Sequence, residues 1–384
     1  MSATNAIKRN GWLDVVRGLA IVAVILVHTG HTSRSILGAS GMVLSNKILG
    51  FTDLGASGVE LFFFISGWLL ASIYGDSSKP LGRAYWLRRI GRIIPLWLLF
   101  LGITVFTSQW SFSGRWRDAI SAGAGESAFF HNPLMVALLT ATFTLWLSPG
   151  LWNTVIGGGW SIQAEVGHYL WFPLLRKFSL KNMLRVLAAV NLMTLVLITI
   201  AVANSKQGGL FMLATKAWLR LDVFATIGFF IIGLIAYRVW AKTQEGKSIG
   251  EAFAALEVDA FTAVAYTLTF MMVPLAYGHE LEALGFVVAC LAISYGAYKV
   301  KWAAKGLATV GKYSYFIYFC HFFVIDLVRY YGKTQVHLVG PEWLMQWVVM
   351  IVVFALALFI SMALAVPSFK YFEKPIMRLA RRFE

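Results

Sequence analysis

The chain has 384 residues, of which 59% are hydrophobic and 13% are charged. A soluble domain carries about twice that share of charged residues, so the composition excludes an ordinary soluble enzyme and favours a membrane protein. The net charge of +15 comes from short basic clusters between apolar runs, a pattern that membrane topology explains and that gives no support to nucleic-acid binding.

Apolar runs of roughly 15 to 24 residues recur along the chain, and such runs are able to cross a hydrocarbon core of about 30 Å. They predict an all-α integral membrane protein with about ten transmembrane helices and a short interfacial or re-entrant helix near 134–147. We expect one domain over 1–384 without a fused soluble domain, because no loop is long enough to form one. The predicted spans are 13–30, 59–74, 93–107, 160–175, 184–203, 223–240, 260–276, 284–298, 313–328 and 343–366.

The distribution of basic residues predicts the orientation of these spans. Lysines and arginines concentrate in alternate loops, which should therefore lie in the cytoplasm. Both termini are then cytoplasmic. The basic loops are those at 79–92, 176–185, 238–247, 299–305 and 370–382.

The first span carries a guanidinium, Arg17, and an imidazole, His28. Their separation of eleven residues leaves them about 20° apart around a helix and about 16 Å apart along it, so they share one face. A guanidinium near the membrane surface and a deeper imidazole suit an acyl-CoA, with its phosphates near Arg17 and its thioester near His28. A purely structural role is the alternative. In that case Arg17 extends its side chain to the membrane interface, and His28 forms a hydrogen bond to a neighbouring helix.

A second basic feature, Arg88, Arg89 and Arg92, lies at the cytoplasmic edge, just before the third span. On a helix Arg88 and Arg92 share a face, where two like charges repel unless an anion neutralises them. Arginine also suits bidentate contact with phosphate. In the structural alternative, these arginines only anchor the end of the span on the cytoplasmic side of the membrane.

The segment from Trp160 and Ser161 to Glu165 places a carboxylate just inside the outer end of a span. Glu165 is suited to orient His28, to accept its proton or to bind a sugar hydroxyl. Glu165 and His168 have the spacing of two metal ligands, but a single copy of that pattern is weak evidence, and we predict no metal site.

Two further residues belong to the candidate set, Glu60 and His321. Glu60 lies near the outer end of the second span, in a motif that otherwise fits close helix packing. His321 is suited either to line the same cavity as His28 or to bridge two helices.

Taken in order, these motifs resemble those of the acyltransferase 3 family of bacterial membrane transacylases. The likeness covers almost the whole chain, and the order and spacing of the motifs carry more weight than any one of them. The matching segments are 13–20 with ten residues between Arg17 and His28, 58–67, 88–95, Trp160-Ser161-x-x-x-Glu165, 311–315 leading to His321, and Phe372-Glu373-Lys374-Pro375.

The resemblance implies a ten-helix enzyme of the bacterial inner membrane that transfers an acyl group from cytoplasmic acyl-CoA, with acetyl-CoA the expected donor, to an extracytoplasmic glycan. O-antigen, exopolysaccharide and peptidoglycan are the acceptors it suggests, membrane lipids surround the protein, and a homodimer is left open. His168 stands where the family usually has an aromatic residue and is left out of the site. The expected site residues are His28 and Glu165 in catalysis, Arg17, Arg88, Arg89 and Arg92 at the donor, and Glu60, Trp160, Ser161 and His321 at the acceptor.

Two other classes of protein fit the composition. A transporter or flippase of a glycan or lipid-linked intermediate also needs intramembrane charges, but we find no internal repeat or pair of broken spans of the kind such proteins often show. A membrane assembly protein or receptor without catalysis is the third class.

Overall fold

The computed structural model describes most of the chain, and every regular element within the described residues is helical. This confirms the predicted all-α fold. The described residues are 3–37, 54–75, 78, 80–108, 132–147, 151, 153, 155–203, 223–248, 251, 279–335 and 342–383.

Twelve α-helices are described within these residues. In chain order they are α1 (Ala3–Leu37), α2 (Gly58–Tyr74), α3 (Arg83–Ser108), α4 (Pro133–Ala141), α5 (Gly159–Leu175), α6 (Leu180–Ala203), α7 (Val223–Thr243), α8 (His279–Lys299), α9 (Lys301–Lys312), α10 (Ser314–Gln335), α11 (Glu342–Ser368) and α12 (Lys374–Arg382). Short 3-10 turns precede α2, at Leu54–Ser57, and follow α4, at Leu145–Leu147.

Five helical stretches within the described residues are long and apolar enough to cross a membrane. Each coincides with a predicted span, which confirms a multi-pass membrane protein. The predicted span 260–276 lies outside the described residues. The five stretches are Gly11–Ser33, Gly55–Tyr74, Arg83–Thr107, Thr226–Thr243 and Leu344–Arg382.

The short helix predicted near 134–147 is present as α4, which has nine residues. Asn132 caps it, because its side-chain oxygen accepts hydrogen bonds from the backbone of Leu134 and Met135. The helix ends before Phe143, whose φ of 60° turns the backbone away. At about 14 Å, α4 is far too short to cross a bilayer.

Helix α1 lies at the centre of the bundle and contacts α2, α8, α9, α10 and α11. Its closest approach is to α9, where two glycines face carbonyl groups of the opposite helix. A Cβ on Gly18 would collide with the carbonyl of Leu307, and one on Gly311 with the carbonyl of Asp14. Small residues permit such close helix contacts in membranes. They also set the position of Arg17, the residue before Gly18.

We expect Gly18→Leu to destabilise the protein by about 1–3 kcal/mol, because the new side chain forces α1 and α9 apart. The measurement is the apparent melting temperature of the detergent-purified protein, followed by size-exclusion chromatography after heating. Gly306→Leu on the same helix pair is the matched control, since nothing lies within 4 Å of a Cβ at that position. Equal melting temperatures for the two variants would contradict the tight contact.

Some basic residues of the loops predicted to be cytoplasmic are used to fasten helix ends together. Arg176 donates to the backbone carbonyl of Tyr74 at 2.9 Å. Arg238 donates to the carbonyls of Phe178 and Arg176 at 2.6 and 2.7 Å. These guanidinium groups satisfy carbonyls at the ends of α2 and α5, where the helix leaves them unpaired. Their role is structural.

A five-residue π-helical segment, Phe369–Glu373, joins α11 to α12. Pro367 lies just before it and cannot donate to the helical hydrogen-bond ladder, which favours such a change of pitch. Ser368 donates to the Glu373 carboxylate at 3.3 Å. Helix α12 then packs against α3 and brings the end of the chain next to the arginines of that helix.

Candidate active site

A cavity of about 560 Å³, here called the arginine cavity, lies between α1, α2, α3, α9, α10 and α12. Its charged lining is mostly basic, with two acidic residues, Asp14 and Glu373. A cleft with this excess of positive charge concentrates anions. The basic residues of its lining are Arg17, Arg88, Arg89, Arg92, Lys312 and Arg381.

A second, smaller cavity of about 50 Å³, here called the inner chamber, adjoins the first. The two share lining residues, so the arginines stand at the boundary between them. The other walls of the inner chamber come from α2, α5 and α10, and they combine apolar groups with serine, tyrosine and glutamate side chains. The shared residues are Arg17, Leu69, Arg89, Arg92, Ser314 and Tyr315.

The three boundary arginines are held mainly by contacts that leave donors for an anion. Arg92 lies over the ring of Tyr315 at 6.0 Å and Arg89 over the ring of Tyr169 at 5.4 Å. Such cation–π contacts orient a guanidinium without using its N–H groups. Arg17 donates to Asp14 at 3.0 Å, which neutralises only part of the cluster.

One donor in this cluster has no partner within the described part of the chain. The buried Nε of Arg89 makes no hydrogen bond there. Buried donors are nearly always satisfied, so an unsatisfied one at a cavity wall points to a ligand with acceptor oxygens. Arg88 differs from the others, because it is exposed at the rim and donates to the hydroxyl of Tyr74 at 3.4 Å.

Glu165 faces the inner chamber from α5. Ser66 donates to its carboxylate at 3.1 Å, and Tyr169, one turn further along α5, donates to the same oxygen. Two donors from different directions hold the carboxylate in one orientation. The catalytic role predicted for Glu165 as the partner of His28 stays a prediction.

The end of the chamber away from the arginines is closed by a pair of hydroxyl groups. Those of Ser161 and Tyr318 are 2.7 Å apart, and both lie within 3.1 Å of the carbonyl oxygen of Gly158. The φ of Gly158 is +68°, and a Cβ there would lie 2.7 Å from the Tyr318 hydroxyl. Only glycine lets the start of α5 approach α10 so closely.

His28 and His321 lie together beyond this closure. Their ring centroids are 5.5 Å apart, and Phe322 contacts both, at 4.5 Å from His28 and 4.1 Å from His321. Nδ1 of His321 is 3.0 Å from the carbonyl of Ile317, so it carries the hydrogen and donates it. Tyr318 connects the two regions, since its ring lies 5.9 Å from that of His321.

The predicted site residues therefore fall into two groups. Arg17, Arg88, Arg89 and Arg92 meet at the arginine cavity, while Glu165 and Ser161 line the inner chamber. His28, Glu60, Trp160 and His321 do not appear in the lining of either cavity within the described residues. Glu60 is 4% exposed, and Trp160 packs edge-on against Phe63 at 6.4 Å.

His168 has the surroundings of a structural residue. It is buried between Phe63 and Phe230, at 4.8 and 5.2 Å, with its Nε2 3.2 Å from the Thr226 hydroxyl. Within the described residues no three His, Cys, Asp or Glu side chains come together in a way that suits a metal ion.

Sequence reasoning missed five hydroxyl-bearing side chains of the inner chamber. A signal was present for two of them. Tyr169 follows Glu165 by four residues, and Tyr318 precedes His321 by three, so each shares a helix face with a candidate residue. Ser66, Ser314 and Tyr315 lie within the matching motif segments, but only the fold shows that their side chains meet in the chamber.

Fold and site together define a class: a multi-pass helical membrane protein with a basic cavity that leads to a polar chamber between its helices. The chain belongs to the family described as an acyltransferase domain, whose model matches residues 10–366. The resemblance stated from the motifs is thereby confirmed.

Individual relatives are more distant. The chain is 23% identical over 391 residues to the O-acetyltransferase OatA of Staphylococcus aureus, a match that covers 95% of this chain and 57% of that protein. It is 27% identical over 169 residues to the acyltransferase MdmB of Streptomyces mycarofaciens, covering 42% of this chain and 38% of that one. The chain thus spans little more than half the length of the first of these relatives. No solved structure matches it.

Proposed function

We propose that this protein is a membrane O-acyltransferase that transfers an acyl group, in the first instance acetyl, from cytoplasmic acyl-CoA to a hydroxyl of an extracytoplasmic glycan. The observation that carries the proposal is the pairing of an arginine-lined cavity with a small polar chamber that ends beside two histidines. The similarity to an O-acetyltransferase supports oxygen as the acceptor atom and acetyl as the transferred group.

The proposed topology has about ten crossings with both termini in the cytoplasm of a bacterial cell and the protein in the inner membrane. The arginine cavity then opens to the cytoplasm. In support, Arg88 and Arg381 line this cavity and belong to two of the basic loops that the positive-inside rule assigns to that side. The outer end of the inner chamber, at Ser161 and Tyr318, then points toward the extracytoplasmic side.

The donor is bound by charge at one end and by shape at the other. Arg17, Arg89 and Arg92 hold phosphate oxygens, because guanidinium groups form short paired hydrogen bonds to them. Arg88 attracts the donor at the rim. The pantetheine arm, a flexible chain with no charge, passes the arginines, and its thioester lies in the inner chamber.

Transfer forms one carbon–oxygen bond and breaks one carbon–sulfur bond. The acceptor oxygen attacks the thioester carbonyl carbon once the acceptor has displaced the Tyr318 and Phe322 side chains that separate the chamber from His28. His28 removes the hydroxyl proton, and the CoA thiolate leaves and takes up a proton to give the free thiol. The hydroxyls of Ser161 and Tyr318 donate to the Gly158 carbonyl, and by turning from it they would donate to the developing oxyanion. In the alternative two-step route, the acyl group passes first to His28 as an acyl-imidazole and then to the acceptor oxygen.

The acceptor approaches from the extracytoplasmic side of Tyr318. His321 and Ser161 lie at this boundary, and Glu60 and Trp160 stand on the outer ends of α2 and α5. Carboxylate, indole and imidazole groups suit a sugar, which presents hydroxyls and an apolar ring face. We assign these four residues to acceptor binding, with Glu165 oriented in the chamber to stabilise the reacting groups.

The test is a reconstituted assay in vesicles with acetyl-CoA labelled in the acetyl group. The enzyme should release free CoA over many turnovers only when a glycan acceptor is present, and the label should appear on the glycan as an ester that mild alkali removes. A transporter or flippase would move an intermediate across the membrane without releasing CoA. Absence of CoA release with every acceptor would contradict an acyltransferase.

A further inference from the structure

The inner chamber is closed at its outer end by side chains rather than left open toward the histidines. Phe62 meets the ring of Tyr318 edge to face at 6.4 Å, and Tyr318 is fixed by its hydrogen bond to Ser161. Val59 and Ile162 complete the apolar part of this wall. Whatever extends along the chamber from the arginines therefore meets Phe62 and Tyr318.

The size of the chamber sets what it holds. A cavity needs a volume of about 10–15 Å³ to hold one water molecule. The inner chamber, at about 50 Å³, therefore holds about four groups of the size of a water. The end of an acetyl thioester has about that many heavy atoms: sulfur, the carbonyl carbon and oxygen, and a methyl. Each further methylene of the acyl chain needs space that the wall occupies.

Distances along α2 give the reach from the mouth of the chamber to Phe62. Leu69 lines both cavities and marks the mouth of the chamber, and Phe62 lies seven residues before it on the same helix. Two helical turns separate them by about 10 Å. This length accommodates the end of the pantetheine arm and a short acyl group, while a long chain would have to pass through the Phe62 ring.

We propose that Phe62, supported by Tyr318, determines acyl-chain length, so that the protein accepts a two-carbon acyl group and rejects longer ones. The inference rests on the proposed function, and it specifies acetyl-CoA as the donor that the site selects. Phe62 is the residue to alter, because its ring makes no hydrogen bond, whereas changing Tyr318 would also break the contact with Ser161. The transfer step forms one carbon–oxygen bond and breaks one carbon–sulfur bond for an acyl group of any length.

The experiment compares acetyl-, butyryl- and hexanoyl-CoA as donors for the wild-type protein and Phe62→Ala, with kcat/KM for CoA release as the readout. Because one methylene in an apolar pocket changes kcat/KM by about 10-fold or more, the wild type should prefer acetyl over butyryl by at least about 100-fold. Phe62→Ala should reduce that preference at least about 10-fold. Phe62→Leu, a smaller change, should fall between the two and serves where the alanine variant does not fold.

Phe359 provides the matched control, since it is another α-helical phenylalanine but is 71% exposed on α11. Phe359→Ala should keep the wild-type preference. An unchanged acetyl-to-butyryl ratio in folded Phe62→Ala and Phe62→Leu, with acetyl transfer retained, would overturn the length filter and leave the proposed function intact. A wild-type protein that uses no acyl-CoA at all would overturn both.

Discussion

His28→Ala should lower the rate of acyl transfer by at least about 100-fold while leaving a folded protein that still binds acyl-CoA. General acid–base catalysis by a positioned histidine contributes about 10²–10⁴-fold, and a nucleophilic role would give a loss at least as large. Binding should survive, because the donor is held at the arginine cavity, about 16 Å away along α1. The measurements are CoA release and the dissociation constant for acetyl-CoA.

His31→Ala is the control for this variant, since it removes the same ring from the same helix at an exposed position. Its activity should match the wild type. Near-normal transfer by His28→Ala would remove His28 from the mechanism. A rapid quench of wild-type protein with labelled acetyl-CoA and no acceptor separates the two roles, because only the acyl-imidazole route leaves label on the protein.

The combined variant Arg89→Ala/Arg92→Ala should weaken acetyl-CoA binding by about 100-fold or more. A hydrogen bond to a charged group contributes about 1.5–3 kcal/mol, so each lost arginine should raise the dissociation constant about tenfold at least. Arg92→Lys should recover part of the affinity, because lysine keeps the charge but not the paired geometry. The KM of the acceptor should change much less.

Arg83→Ala is the matched control at an exposed position on the same helix, and its affinity for acetyl-CoA should equal that of the wild type. Repeating the titrations with dephospho-CoA, which lacks the 3′-phosphate, shows which phosphate each arginine contacts. A variant that has lost the contact with the 3′-phosphate should bind CoA and dephospho-CoA with equal affinity. Unchanged acetyl-CoA affinity in the combined variant would contradict the assignment of the donor site.

Helical periodicity predicted that Arg88 and Arg92 share one face. The family resemblance grouped them with Arg17 and Arg89 at the donor, and the structure brings the four side chains to one basic cavity. The spans followed from apolar runs, and the five long apolar stretches of the structure agree with them. Such features depend on residues close together in the chain.

Contacts between distant segments set the limit of that prediction. The single face shared by Arg17 and His28 suggested one conduit, yet Phe322 and Tyr318 of α10 come between the chamber and His28. Their position depends on the approach of α5 at Gly158, which no local pattern encodes. Likewise Glu373 reaches the arginine cavity through a π-helical segment that the sequence did not predict.

A structure of the protein bound to a non-cleavable thioether analogue of acetyl-CoA tests the central claim most directly. We expect phosphate oxygens within hydrogen-bond distance of Arg17, Arg89 and Arg92, with the acetyl end in the inner chamber against Phe62 and Tyr318. Density for the nucleotide outside the arginine cavity, or a pantetheine arm directed away from the chamber, would contradict it.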